Sequence, residues 1–242
     1  MKSYEEKALY ELKIWQKKMA KKPSFTSGIT KGLQNKVNNL IPEKVHTVVT
    51  ETIKNMVKGV LIGSEFMTKR ILVQAPLEER ERLVMDKLDF YKKAAVLSGA
   101  GTGGAGFFIG LADFPILISL KIKFLFDVAS LYGFDVRNYK ERLYILYIFQ
   151  LAFASDKRRN EVYKEILDWD NYVQKLPDDI NSFDWRTFQQ EYRDYIDLAK
   201  MLQLVPGIGA VIGAYANYKL MNKLGEIAIN AYRLRLFNIK TL

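Results

Sequence analysis

The chain has 242 residues, a formal net charge of +10, one histidine (His46) and no cysteine, and 49% of its residues are hydrophobic. That composition supports a sizeable folded core and argues against disorder over most of the length. It excludes disulfides, thiolate metal centres, cysteine nucleophiles and metal sites built on several histidines, and it leaves a Ser-His-Asp arrangement only His46 to draw on.

The opening residues, MKSYEEKALYELKIWQKKMAKK, have no apolar run and no lipidation box, so they do not read as a signal peptide or an acylation site. The spacing predicts an amphipathic basic helix over about 3–21. Tyr4, Ala8, Leu12, Trp15 and Met19 share one face, lysines fill the others, and Pro23 follows as a stop. Two uses of this helix stand side by side. It docks on the core, or it lies on an anionic leaflet with Trp15 facing the lipid and Lys13, Lys17, Lys18, Lys21 and Lys22 around it.

A second helix starts near Pro42. Its wide apolar face, from Val45 through Val49, Ile53, Met56 and Val60 to Leu61, marks it as buried on most sides. His46 falls beside that face and reads as a partly buried structural histidine. Pro76 opens a third helix that runs to a glycine-rich stretch. Further helices cover about 115–132, closed by Gly133 in a left-handed cap, and about 138–154. Residues 160–200 hold ten acids against five bases, so the positive excess lies elsewhere in the chain. The acidic segment 156–203 reads as a solvated amphipathic helix pair split at Pro177, with Trp169, Tyr172, Trp185, Phe188 and Tyr192 on its apolar side. Asp168, Asp170, Asp178 and Asp179 lack the calcium-loop spacing and read as a solvated face. The last helix spans about Gly209 to Phe237. No alternating run is bounded by hairpin turns, so the expectation is one all-α domain over 1–242, with glycine-rich helical hairpins in its core.

The stretch LSGAGTGGAGFFIGLADFPILISL raises the sharpest functional question. Gly99, Gly101 and Gly104 satisfy G-x-G-x-x-G, and Asp127 stands at a distance suited to a ribose acid. The preceding segment is helical, however, and no βαβ units follow, so no dinucleotide cofactor is expected. A membrane reading has more support: residues 94–112 carry no charge, and Gly106 with Gly110, and Gly209 with Gly213, form G-x-x-x-G pairs. Asp113 and Pro115 interrupt the run, which favours a re-entrant or interfacial hairpin over a full span. In a buried soluble hairpin, Asp113 would be a helix N-cap and Pro115 a first-turn residue.

The same residues carry a family likeness. The glycine run 99–106, LADFP with Asp113 and Pro115, LYGFD with Tyr132, Gly133 and Asp135, and VPGIGAVIGAYANY with Pro206, Gly209, Gly213 and Asn217 resemble the EcsC family of bacterial proteins over nearly the whole chain. The resemblance implies a setting beside an ABC-type transporter, because the family takes its name from an operon whose other products look like an ABC-type ATPase and its membrane subunit. It implies no catalytic residues. Some relatives carry hydrolase or protease labels, but this chain has no H-E-x-x-H, no G-x-S-x-G and no cysteine.

The expectation is therefore a non-enzymatic accessory protein, cytoplasmic and peripheral at the inner face of the cell membrane. It would be drawn by anionic lipid, with transporter subunits as partners and with no cofactor, metal or nucleic acid. Two alternatives stand beside it. One is a hydrolase-like enzyme in which Asp113, Tyr132, Asp135 and Asn217 converge on one pocket. The other is a soluble partner that binds the transporter ATPase through residues 160–200.

Overall fold

The computed structural model describes residues 3–21, 43–62, 75–100, 114–154, 156–176 and 210–239. Eight α-helices lie among them: α1 (Tyr4–Ala20), α2 (Glu43–Ile62), α3 (Leu77–Ala100), α4 (Phe114–Leu131), α5 (Tyr139–Phe153), α6 (Asp156–Leu167), α7 (Trp169–Tyr172) and α8 (Ala210–Leu236). A 3-10 turn, Val173–Lys175, follows α7, and no strand occurs among the described residues. The all-α expectation holds, while the glycine-rich hairpins lie outside the described residues.

Local chemistry sets the boundaries. The Ser3 hydroxyl accepts from the Glu6 amide at 3.2 Å and the Glu6 carboxylate accepts from the Ser3 amide at 3.1 Å, a reciprocal cap that starts α1. Gly133 has φ 92°, so α4 ends with the Phe134 amide on the Ala129 carbonyl (3.0 Å) and the Gly133 amide on the Ser130 carbonyl (3.1 Å). Glycine adopts that left-handed conformation without the Cβ penalty. The Asn138 side chain accepts from the Lys140 amide at 2.8 Å and caps α5. Arg142, on α5, donates to the Leu61 carbonyl at 3.0 Å and so satisfies the end of α2.

Helix α8 is the central pillar. It packs most extensively on α3 and also touches α1, α4, α5 and α6. Three contacts show that α3 and α8 run antiparallel. Glu81 meets Arg233 at one end, Leu88 sits under Gly225 midway, and Lys92 lies over the Tyr218 ring at the other end. The two ends differ in chemistry: one holds paired arginines, the other a lone buried lysine. They are called the arginine end and the lysine end below. Buried side chains from every helix, Leu12, Val57, Leu88 and Phe124 among them, form one continuous apolar cluster.

One segment departs from its expected setting, and for a second the burial pattern selects one of the two uses set out for it. Trp169 is 4% exposed, because α7 folds back on α5 and places the indole against the Tyr144 and Tyr147 rings at 4.9 and 5.3 Å. It is a core residue and not part of a solvated pair; Trp185, Phe188 and Tyr192 lie outside the described residues. The apolar face of α1 is likewise interior. Trp15 is 3% exposed and meets the Tyr163 ring of α6 edge-on at 5.6 Å, while Leu12 is fully buried.

Candidate functional site

Glu81 falls in the apolar stripe of α3, four residues after Leu77 and three before Val84, so the helix carries its carboxylate into the core. There it accepts four hydrogen bonds. Arg233 of α8 supplies two, from Nε at 2.7 Å and Nη2 at 2.6 Å. The Tyr4 hydroxyl donates at 2.6 Å and the Tyr132 hydroxyl at 2.8 Å. The remaining Arg233 nitrogen, Nη1, donates to Glu11 at 3.0 Å. Burial works to raise the Glu81 carboxyl. The Arg233 and Tyr4 hydrogen bonds, the guanidinium charge and the Tyr132 bond outweigh it, and hold the group below the usual carboxylate range. Burial and the adjacent carboxylate push the Tyr132 hydroxyl well above its ordinary value, so it stays a donor at neutral pH.

A second tie adjoins the first. The Tyr132 ring stacks on Tyr232 at 5.3 Å, and the Tyr232 hydroxyl donates to Glu141 at 2.8 Å. The other Glu141 oxygen accepts from Arg235 at 2.6 Å. The Arg235 guanidinium lies 3.8 Å from the Phe134 ring centroid and 4.6 Å from that of Tyr144. Burial raises the Glu141 carboxyl against the opposing pull of Arg235 and the Tyr232 hydroxyl. In both ties the acid accepts from a guanidinium and at least one phenol. Such an arrangement joins helices.

Asp127, the residue at a ribose-acid distance, is also a structural tie. It lies within helix α4, accepts from the Tyr91 hydroxyl at 3.0 Å and pairs with Lys87 at 3.1 Å and Lys123 at 3.5 Å. Its partners lie on α3 and on α4 itself, so its setting is that of a helix–helix contact, and no strand occurs before it among the described residues.

The lysine end holds a buried amine whose described hydrogen bonds go to neutral oxygens. Lys121 is 0% exposed, and its amine donates to the Leu117 carbonyl at 3.3 Å and to the Asn217 side-chain oxygen at 3.4 Å. Charge-assisted N–H···O bonds run about 2.7–2.9 Å, so these are long for an ammonium. Burial pushes the amine down to about 7.

The candidate residues read from the sequence are dispersed. Tyr132 serves the arginine end. Asp135 sits on the α4–α5 connection in an exposed pair with Arg137, at 2.8 Å from Nε and 2.7 Å from Nη2. Asn217 meets Lys121, which lies eleven residues before Tyr132 on α4, or about 16 Å along the helix axis. Pro115 is an exposed first-turn residue of α4; Gly99 lies in the last turn of α3 and Gly213 in the first turns of α8. Gly101, Gly104, Gly106, Asp113, Pro206, Gly209 and Lys22 lie outside the described residues, as does the His46 side chain. Lys13, Lys17, Lys18 and Lys21 are exposed on α1, and Lys18 pairs with Glu226 at 3.0 Å. Among the described residues, no group of three His, Cys, Asp or Glu side chains is placed to hold a metal, and no helix is long and apolar enough to cross a membrane.

Sequence reasoning missed Glu81, Glu141 and Lys121, and it reads Arg233 and Arg235 only as cations that would join a basic surface if they met the N-terminal helix, whereas both are tied to buried carboxylates. A signal was present for two of them: Glu81 and Lys121 each interrupt an apolar stripe at core spacing, and a charged residue there must find a partner or shift its protonation.

A family model described as the EcsC protein family matches residues 6–237. The chain is 44% identical to the protein EcsC of Bacillus subtilis (strain 168) over 223 residues, 92% of each chain. It is 32% identical to the uncharacterized protein YdbA of the same organism over 164 residues, which cover 67% of this chain and 60% of that one. No solved structure matches.

Proposed function

We propose, from the premise that this chain belongs to the EcsC protein family, that it is a non-enzymatic accessory protein working at the inner face of the cell membrane beside an ABC-type transporter. The observation that carries the non-enzymatic part is the state of the buried acids: Glu81, Asp127 and Glu141 are each held by cations and phenols from a neighbouring helix. An acid or base that works in catalysis needs a proton it can exchange with a substrate, and none of these carboxylates is left open for that. The membrane part is supported by the charge distribution, a net +10 with the acids concentrated in residues 160–200. The transporter link comes from what the family resemblance implies.

Cell fractionation tests the membrane part. Release of the protein from membranes by high salt is the expected result and marks electrostatic attachment. Retention through both salt and carbonate would place part of the chain in lipid. Recovery entirely in the soluble fraction would refute the membrane reading.

A further inference from the structure

Helix α1 has two faces, and the structure reverses which of them is available. Ala8, Leu12, Trp15 and Met19 point inward, at 5% exposure or less. The outward strip consists of Tyr10, Lys13, Ile14, Lys17 and Lys21, spaced at three and four residues, so they line one side of the helix. Tyr10 is 62% exposed and Ile14 is 53% exposed, two large side chains on the cationic side of the helix.

Among the described residues, the charge on this strip is not neutralised. Lys13, Lys17 and Lys21 make no ion pair among the described residues. From Tyr10 to Lys21 the helix has one acid, Glu11, and Glu11 is engaged by Arg233 at 3.0 Å and by Lys7 at 4.0 Å. The inward face is fixed by the core and by the Tyr4–Glu81 and Glu11–Arg233 contacts, so the strip is presented as a rigid surface.

We infer that this outward strip of α1 is the membrane-docking surface. Lys13, Lys17 and Lys21 engage anionic headgroups while Tyr10 and Ile14 enter the headgroup–acyl boundary, and Trp15 stays in the core. The inference rests on the membrane reading above and adds the face, the residues and the lipid class. Charge complementarity selects an anionic bilayer, and the exposed apolar pair selects an interface with hydrocarbon beneath the charge.

The chain lacks cysteine, so Ile14→Cys creates a single labelling site for an environment-sensitive fluorophore, with Gln174→Cys on the exposed 3-10 turn as the control. The full-length protein is mixed with vesicles of phosphatidylglycerol and phosphatidylcholine, or of phosphatidylcholine alone, and floated. Flotation with the anionic vesicles only is expected, with a blue shift of the label at 14 and none at 174. A lysine near an anionic surface contributes about fivefold in partitioning, so the combined Lys13→Gln, Lys17→Gln and Lys21→Gln variant should bind about a hundredfold more weakly. Its circular dichroism and melting should match the native chain, because all three side chains are solvent-exposed. Flotation with an unshifted label at 14, or undiminished binding of the triple variant, would overturn the docking face and leave the membrane reading standing. No flotation with anionic vesicles would overturn both.

Discussion

The Glu81–Arg233 tie makes the most demanding prediction about what holds this fold. Glu81→Gln changes the charge and almost nothing in shape. It leaves Arg233 6% exposed, with only Glu11 as a charged partner and the Ala8 carbonyl at 3.4 Å. Removing one member of a buried pair costs about 3–5 kcal/mol. Glu11 is 46% exposed and relieves part of that cost, which places the expected loss near the lower end, about 3 kcal/mol. Tyr4 and Tyr132 donate to different Glu81 oxygens, so only one of them keeps an acceptor on glutamine, a further loss of about 1 kcal/mol. Against a typical total of about 5–15 kcal/mol, the change is large. Urea unfolding followed by helical circular dichroism measures it. The double variant Glu81→Gln with Arg233→Met should lose less than the sum of the two single variants, because the second change removes the stranded cation. The pH dependence supplies a sign. The folded carboxyl lies below its unfolded value of about 4.3, so its stabilisation is present above pH 4.3 and fades as pH falls through the folded value. Glu81→Gln should remove that part of the acid slope. A single variant within 1 kcal/mol of the native chain, or strict additivity in the double variant, would refute the account of the tie.

Lys121 gives the opposite sign. Its folded amine sits at about 7, whereas the unfolded value is about 10.4, so the unfolded state binds the extra proton between them. Native stability should rise from pH 7 toward pH 10, with the burial penalty fully present below pH 7. Lys121→Met should be more stable at neutral pH by about 1–3 kcal/mol and should lose that rise, as read from urea midpoints across the range. At Gly225, a Cβ would lie 2.7 Å from Leu88 Cδ2, so Gly225→Ala sets an overpacking cost of about 1–3 kcal/mol against a helix-propensity gain of about 1 kcal/mol. A small net loss is expected, with a larger one for Gly225→Val. Adding Leu88→Ala should cost less in the Gly225→Val background than alone, and equal costs in thermal melts would show that the two side chains do not compete for space.

Helix positions were legible because their signals are local. Ser3 and Glu6 form a cap across one turn, Pro76 precedes α3 directly, and Gly133 takes the left-handed conformation that its place after an apolar helix implies. The burial of α1's apolar face was open, because a stripe such as Ala8–Leu12–Trp15–Met19 suits a core and a bilayer equally. Only the presence of Tyr163 and α8 on that side decides between them. The ionic ties were illegible for a different reason. Glu81 and Arg233 are 152 residues apart in sequence. Their pairing depends on α3 and α8 running antiparallel in one register, which no spacing rule within either helix encodes. Glu81 follows Glu78 and Glu79 in the opening turns of α3, where acids are ordinary, although only Glu81 of the three is buried in the apolar stripe. The convergence set out for Tyr132, Asp135 and Asn217 in the enzyme alternative came from treating residues of separate family motifs as one site. Helix α4 instead carries the connection that holds Tyr132 and Asp135 far from the Lys121–Asn217 contact.

The two ends of the α3–α8 pair therefore answer to different physics. At the arginine end the described buried charges are matched, so losing either partner would strand the other. At the lysine end the helices meet through apolar contacts, the Lys92–Tyr218 cation–π contact and an amine with two long hydrogen bonds, and Phe90, Leu97 and Ile116 stand 62%, 72% and 52% exposed. A methionine would fill the Lys121 position without a desolvation penalty, and apolar side chains at 90, 97 and 116 forgo the solubility a polar surface provides. Departures from local packing rules concentrate where a sequence serves something besides folding. By that criterion the lysine end, like the exposed apolar pair on α1, departs further from what stability alone would select than the more heavily charged arginine end does.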